Sequence, residues 1–100
     1  MTAGGWTFLT NHAHVLLCIA RDPDIRVRDI ALRVGITERA AQKIVHDLAD
    51  DGYVSVTRVG RRNQYRLLPG ARFRHPLEAQ HEVAELLDLF VADESGPVDD

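Results

Sequence analysis

The sequence predicts a mostly α chain with one β-hairpin, an α+β fold in the order α-α-α-β-β-α. Three observations carry this reading. Apolar residues recur with a period near 3.6 in three stretches before residue 52. Between residues 53 and 68 the period drops to two, in a run rich in β-branched residues. After Pro76 the helical period returns. A chain of 100 residues suffices for one compact domain, expected over residues 1–92 with 93–100 as a flexible acidic tail.

Residues 1–5 are expected to be a flexible end. Thr10 is placed to cap a first helix that runs to about Arg21, with Ala13, Leu16, Leu17 and Ala20 on one face. Asp22-Pro23-Asp24 stops it, because proline disfavours helix in the residue before it. A second helix is predicted over about 28–34, where Val27, Ile30, Ala31 and Val34 follow the i, i+3, i+4, i+7 spacing. Gly35 breaks it. Thr37 is the N-cap of a third helix to about Asp51, and Gly52 ends that one. Strands are predicted at 53–59 and 64–68 around a Gly60-Arg61-Arg62-Asn63 turn. Pro69-Gly70 is a link. Pro76 suits the first turn of a final helix, predicted over about 76–92.

Residues 27–48 have helix-turn-helix character. Two helices crossing steeply need a small residue at the contact and a glycine turn. Ala31 and Gly35 stand at those places, and Ile36 fills the corner. On the third helix Ala41, Ile44, Val45 and Leu48 fall on one side at 100° per residue, and Arg39, Gln42, Lys43 and His46 on the other. Arg or Lys can pair with guanine and Gln with adenine, so the polar stripe suits a major-groove reader. The helix start at Thr37 would turn its free N–H groups to a phosphate. An ordinary amphipathic helix with a wet face is the alternative. The hairpin favours nucleic acid: its tip carries Arg61 and Arg62, with Arg58 and Asn63 beside them, and guanidiniums there suit phosphates or a narrow minor groove.

Charge is segregated along the chain. Residues 21–74 hold all 12 basic and 7 acidic residues, a net of +5, whereas 75–100 hold 8 acidic residues and none basic. The overall −3 therefore hides a basic region able to steer a polyanion. The runs Arg28-Asp29-Ile30-Ala31, Val34-Gly35-Ile36-Thr37, Gly52-Tyr53-Val54 and Gly60-Arg61-Arg62-Asn63, with Leu48, resemble winged-helix bacterial regulators of the MarR and ArsR type over about residues 10–92. The resemblance implies a winged helix-turn-helix that binds duplex DNA to regulate transcription. It is specific for fold and DNA binding, not for target or effector. The glycine-arginine wing is nearer to MarR, the single helix after the wing nearer to ArsR. The Cys-x-Cys motif of metal-sensing ArsR proteins is absent.

A homodimer is expected from the final helix. Leu77, Ala84, Leu87 and Val91 form one apolar stripe, and Ala79, Val83, Leu86 and Phe90 a second. Together they cover more circumference than one neighbour needs. Trp6, Phe8 and Leu9 are placed at the edge of that interface. No metal or cofactor is expected: His75, Glu78, His81 and Glu82 are read as surface or capping residues, although His and carboxylate could take zinc. Cys18 is read as an inert core residue, a lone cysteine that agrees with a reducing compartment. No nucleotide loop or nucleophile motif is present, so an enzyme has no supporting residue. No apolar run reaches the roughly 20 residues of a membrane span, and the N-terminus lacks a signal-peptide pattern, so a cytoplasmic protein is expected. The competing function is a protein-interaction module that keeps the winged fold without binding DNA.

Overall fold

The computed structural model describes residues 5–95, with side chains through Val91. Four helices and one hairpin follow in the expected order: α1 (Asn11–Arg21), α2 (Val27–Val34), α3 (Glu38–Asp50), β1 (Val54–Val59), β2 (Arg62–Leu67) and α4 (Val83–Ser95). Of the expected flexible end, residues 1–4 lie outside the described residues, as do 96–100 of the expected tail.

Both N-caps read from the sequence form. The Thr10 hydroxyl accepts from Ala13 N–H at 3.3 Å, and the Thr37 hydroxyl accepts from Ala40 N–H at 3.0 Å. Gly35 closes α2 in the left-handed region at φ +86°, its N–H donating to the Ala31 carbonyl. That conformation strains any side chain and reverses the chain within one residue. Ala31 is buried, and α2 packs against α3.

The core lies where α1, α2 and α3 meet. Val15, Leu16 and Ile19 of α1 pack with Ile30 of α2 and with Ala41, Ile44, Val45 and Leu48 of α3. The hairpin closes it through Val54 and Tyr65, and α4 covers it with Val83 and Leu87. Antiparallel pairing runs from Val54↔Leu67 to Val59↔Arg62. The loop before α2 docks on β2, with Tyr65 N–H donating to the Pro23 carbonyl at 2.9 Å.

Two boundaries differ from the sequence reading. The hairpin turn has only Gly60 and Arg61 between paired residues, so Arg62 and Asn63 belong to β2. Gly60 has φ +63° and no non-glycine residue described has positive φ, which makes this a type II′ turn, whose twist matches that of the flanking strands.

The last helix starts at Val83, not near 76. Pro76 sits inside a turn closed by Glu78 N–H on the His75 carbonyl at 2.8 Å, where its fixed φ serves a β-turn instead of a helix start. The Arg72 guanidinium takes the Gln80 and Ala79 carbonyls, at 2.8 and 3.4 Å, away from any helical ladder. Glu82 N–H then donates to the Glu85 carboxylate at 3.0 Å, which caps α4. This N–H, followed by His81, holds the Glu85 carboxyl below its ordinary pKa. The helix continues through the expected tail residues 93–95.

Candidate nucleic-acid interface

On α3 the division of faces is as the spacing predicts. Ala41, Ile44, Val45 and Leu48 are buried, and Arg39, Gln42, Lys43 and His46 are exposed. The four exposed side chains are not equivalent. Lys43 Nζ lies 3.0 Å from Asp47 Oδ1, and His46 Nε2 lies 3.3 Å from Asp50 Oδ2. Arg39 and Gln42 have no intramolecular partner among the described residues. The first half of α3 therefore offers free donors, and its second half carries carboxylates with partners. Asp51 completes that pattern, 2.8 Å from Arg74 Nη1.

Asp47 is a residue that the sequence reading missed. It also receives His12 Nε2 of α1 at 2.9 Å. The His12 hydrogen bond, then that of Lys43, holds the Asp47 carboxyl below its ordinary pKa. The Lys43 and Asp47 spacing of i, i+4 was legible as a helix-surface pair. The partner from α1, 35 residues away, was not.

The wing separates the expected arginines. Arg61 stands at the tip, exposed and without a partner among the described residues. Arg62 turns back, its Nη2 donating to the Asp24 carbonyl at 2.7 Å, while Gln64 Nε2 holds the Asp24 carboxylate at 3.1 Å. Arg58 Nε donates to the Gly60 carbonyl at 3.3 Å, across the turn. Asn63 is half-buried and reaches Tyr65 Oη at 3.4 Å, so the expectation that it stands in an open turn is corrected. The Arg62 and Gln64 contacts tie the hairpin to the loop before α2, whereas those of Arg58 and Asn63 stay within the hairpin.

The expected dimer residues are also divided. Leu77 lies in the 75–78 turn, off α4, and is 84% exposed. Val83 and Leu87 are in the protomer's own core, Leu87 only 5% exposed, so neither offers a face to a partner. Leu86, Phe90 and Val91 are half-buried, while Ala84 and Leu89 are exposed. Burial pushes the Cys18 thiol up despite the nearby Arg33 and Arg21. Among the described residues no three His, Cys, Asp or Glu side chains gather as a metal set, and no helix is long and apolar enough to cross a membrane.

A cleft of about 600 Å³ opens between α1, the end of α3, residues 73–78 and α4. Leu16, Leu48, Phe73 and Leu86 give it an apolar lining, and His12, Asp47 and Arg74 stand among its polar groups.

Residues 7–62 match the model of the MarR family. No curated protein matches the chain. Solved structures that share its fold include two MarR family proteins. The MarR family protein Rv2887 of Mycobacterium tuberculosis, in complex with salicylic acid, matches with a TM-score of 0.57 at 19% identity, covering 87% of this chain and 61% of its own. The zinc-dependent MarR family transcriptional regulator AdcR, in its Zn(II)-bound state, matches with a TM-score of 0.53 at 16% identity, covering 94% of this chain and 63% of its own. The chain thus spans less than two thirds of the length of either structure.

Proposed function

Since the chain belongs to the MarR family, we propose that it is a transcriptional regulator that binds duplex DNA sequence-specifically, with α3 in the major groove and the wing on the minor groove or backbone. The observation that carries this reading is the exposed, partnerless pair Arg39 and Gln42 at the start of an otherwise well-anchored α3. Residues near the start of a recognition helix are those that reach base edges. Lys43 and His46 extend the same face, and Arg58 and Arg61 of the wing add positive charge without a carboxylate partner among the described residues.

The working form in this reading is a homodimer with two α3 helices about one DNA turn apart, reading a near-palindrome. Its interface would use Leu86, Phe90, Val91 and Ala84 of α4, with exposed Leu89 in place of Leu87. Trp6 and Phe8, an exposed edge-to-face pair with centroids 5.1 Å apart, would supply more apolar surface. The 600 Å³ cleft is the place for a small effector, because a ligand there would touch both His12 and Asp47 and so bear on Lys43. No catalytic role is proposed.

Selection of bound sequences from random duplex, followed by titration at several salt concentrations, tests the reading. An enriched, near-palindromic site with strongly salt-dependent affinity is expected. Absence of salt-dependent duplex binding would leave the interaction module as the better account.

A further inference from the structure

A second concave site lies between the wing and the residue that precedes α2. It is about 370 Å³ in volume, and four arginines line it: Arg26, Arg58, Arg61 and Arg62. Val27, Asn63 and the buried Tyr65 complete the wall, and no carboxylate lines it. Arg58 and Arg62 donate to the neutral carbonyls of Gly60 and Asp24, which orients them without cancelling their charge. Arg26 and Arg61 have no partner among the described residues. Of the two carboxylates on the adjoining loop, Asp24 is engaged by Gln64 and Asp22 accepts from the Asp24 N–H. Four like charges facing one concavity repel each other until an anion enters.

We propose that this concavity is a phosphate clamp that seats a backbone phosphate of the duplex, with Arg26 as a DNA-contacting residue outside both α3 and the wing. A phosphodiester presents two free oxygens, and guanidinium forks match that geometry bidentately. All four arginines are exposed, which suits an anion presented by a polymer better than a small molecule that must be enclosed. Three of the four belong to the wing, so a wing resting beside the minor groove brings the flanking strand to this site. The proposal rests on the DNA-binding reading and adds to it a fixed contact joining the wing to the start of α2.

The test compares the wild-type chain with Arg26→Gln and Arg58→Gln, with Arg39→Ala as a base-reading reference. Affinity for the selected site and for random duplex is measured against salt, and sodium pyrophosphate is titrated separately as a free phosphoanion. Arg26→Gln is expected to weaken both duplexes by the same factor, roughly 10-fold at 0.1 M salt, and to lower the salt slope by about one. Arg39→Ala should weaken only the selected site. Thermal melts of both Arg→Gln variants verify the fold, and Arg58→Gln carries the test should Arg26→Gln fail to fold. If the wild type binds duplex and the folded variants keep its affinity and slope, the clamp is wrong and the DNA reading stands. If the wild type binds no duplex but binds pyrophosphate through Arg26, the proposal is overturned in favour of a free-phosphoanion site.

Discussion

Arg39 and Gln42 are held out from the domain by the backbone alone, whereas Lys43 is drawn toward Asp47. A donor that need not break an internal contact is spared that cost on meeting a base edge and gives up only hydration and rotamer freedom. Replacing Arg39 or Gln42 by Ala should therefore cost about 1–3 kcal/mol on the best site and relax specificity at one position per half-site. Binding titrations against base-substituted duplexes check this, and unchanged affinity in both variants would remove α3 as the reader. Asp47 sets a different expectation. Its pKa is lowered by folding, so its contribution to stability is present above its unfolded pKa and lost as pH falls through the folded one. Asp47→Asn should flatten the acid limb of the stability curve below about pH 4, as followed by circular dichroism in denaturant at each pH. An unaltered acid limb would mean that the His12–Asp47 contact does not link α1 to α3 in solution.

The wing shows how an element can be legible while its parts are misassigned. Alternating residues and Gly60 locate the hairpin, but only the register reveals that Arg62 faces back to Asp24. Arg61→Ala should lower the salt slope by about one and leave hairpin amide exchange unchanged. Arg62→Ala should speed exchange in β2, because it removes one of the three ties, with those of Gln64 and Tyr65, that hold the hairpin to the loop before α2. Equal exchange in both variants would discount the Arg62 tie. Gly60→Ala should cost about 1–2 kcal/mol of stability from conformation alone, since a Cβ there meets nothing within 4 Å. A denaturant melt that shows no loss would argue against the type II′ turn. In α4 the apolar period read from residue 76 is real as a pattern. It lost to local chemistry, since Pro76 makes a turn and Arg72 and Glu85 bind the backbone groups a longer helix would need.

At the scale of the molecule, the described apolar surface is what the dimer proposal rests on. Phe8 is 92% exposed and Leu89 64% exposed. Light scattering at micromolar concentration should give twice the 11.2 kDa chain mass. Leu89→Glu should return the mass of one chain and leave that chain cooperatively folded, because Leu89 is not in the core. Leu87→Glu should unfold the protein, since it buries a charge between α4 and α1. A wild-type mass near 11.2 kDa would end the dimer proposal.

Local pattern was enough for element order, both N-caps, the buried side of α3 and the Gly35 exit. Each depends on residues within about one or two helical turns, whose geometry follows from the backbone itself. Contacts between residues distant in sequence were decided by tertiary structure alone. His12 reaches Asp47, Arg62 reaches the carbonyl of Asp24, and Arg26 joins three wing arginines around one concavity. The late start of α4 belongs with them, because its cause is an arginine seven and eight residues upstream of the carbonyls it binds. Periodicity says which side of an element is apolar. It carries no information about which charged side chain from another element will meet the polar side, as His12 of α1 meets Asp47, the residue that also holds Lys43.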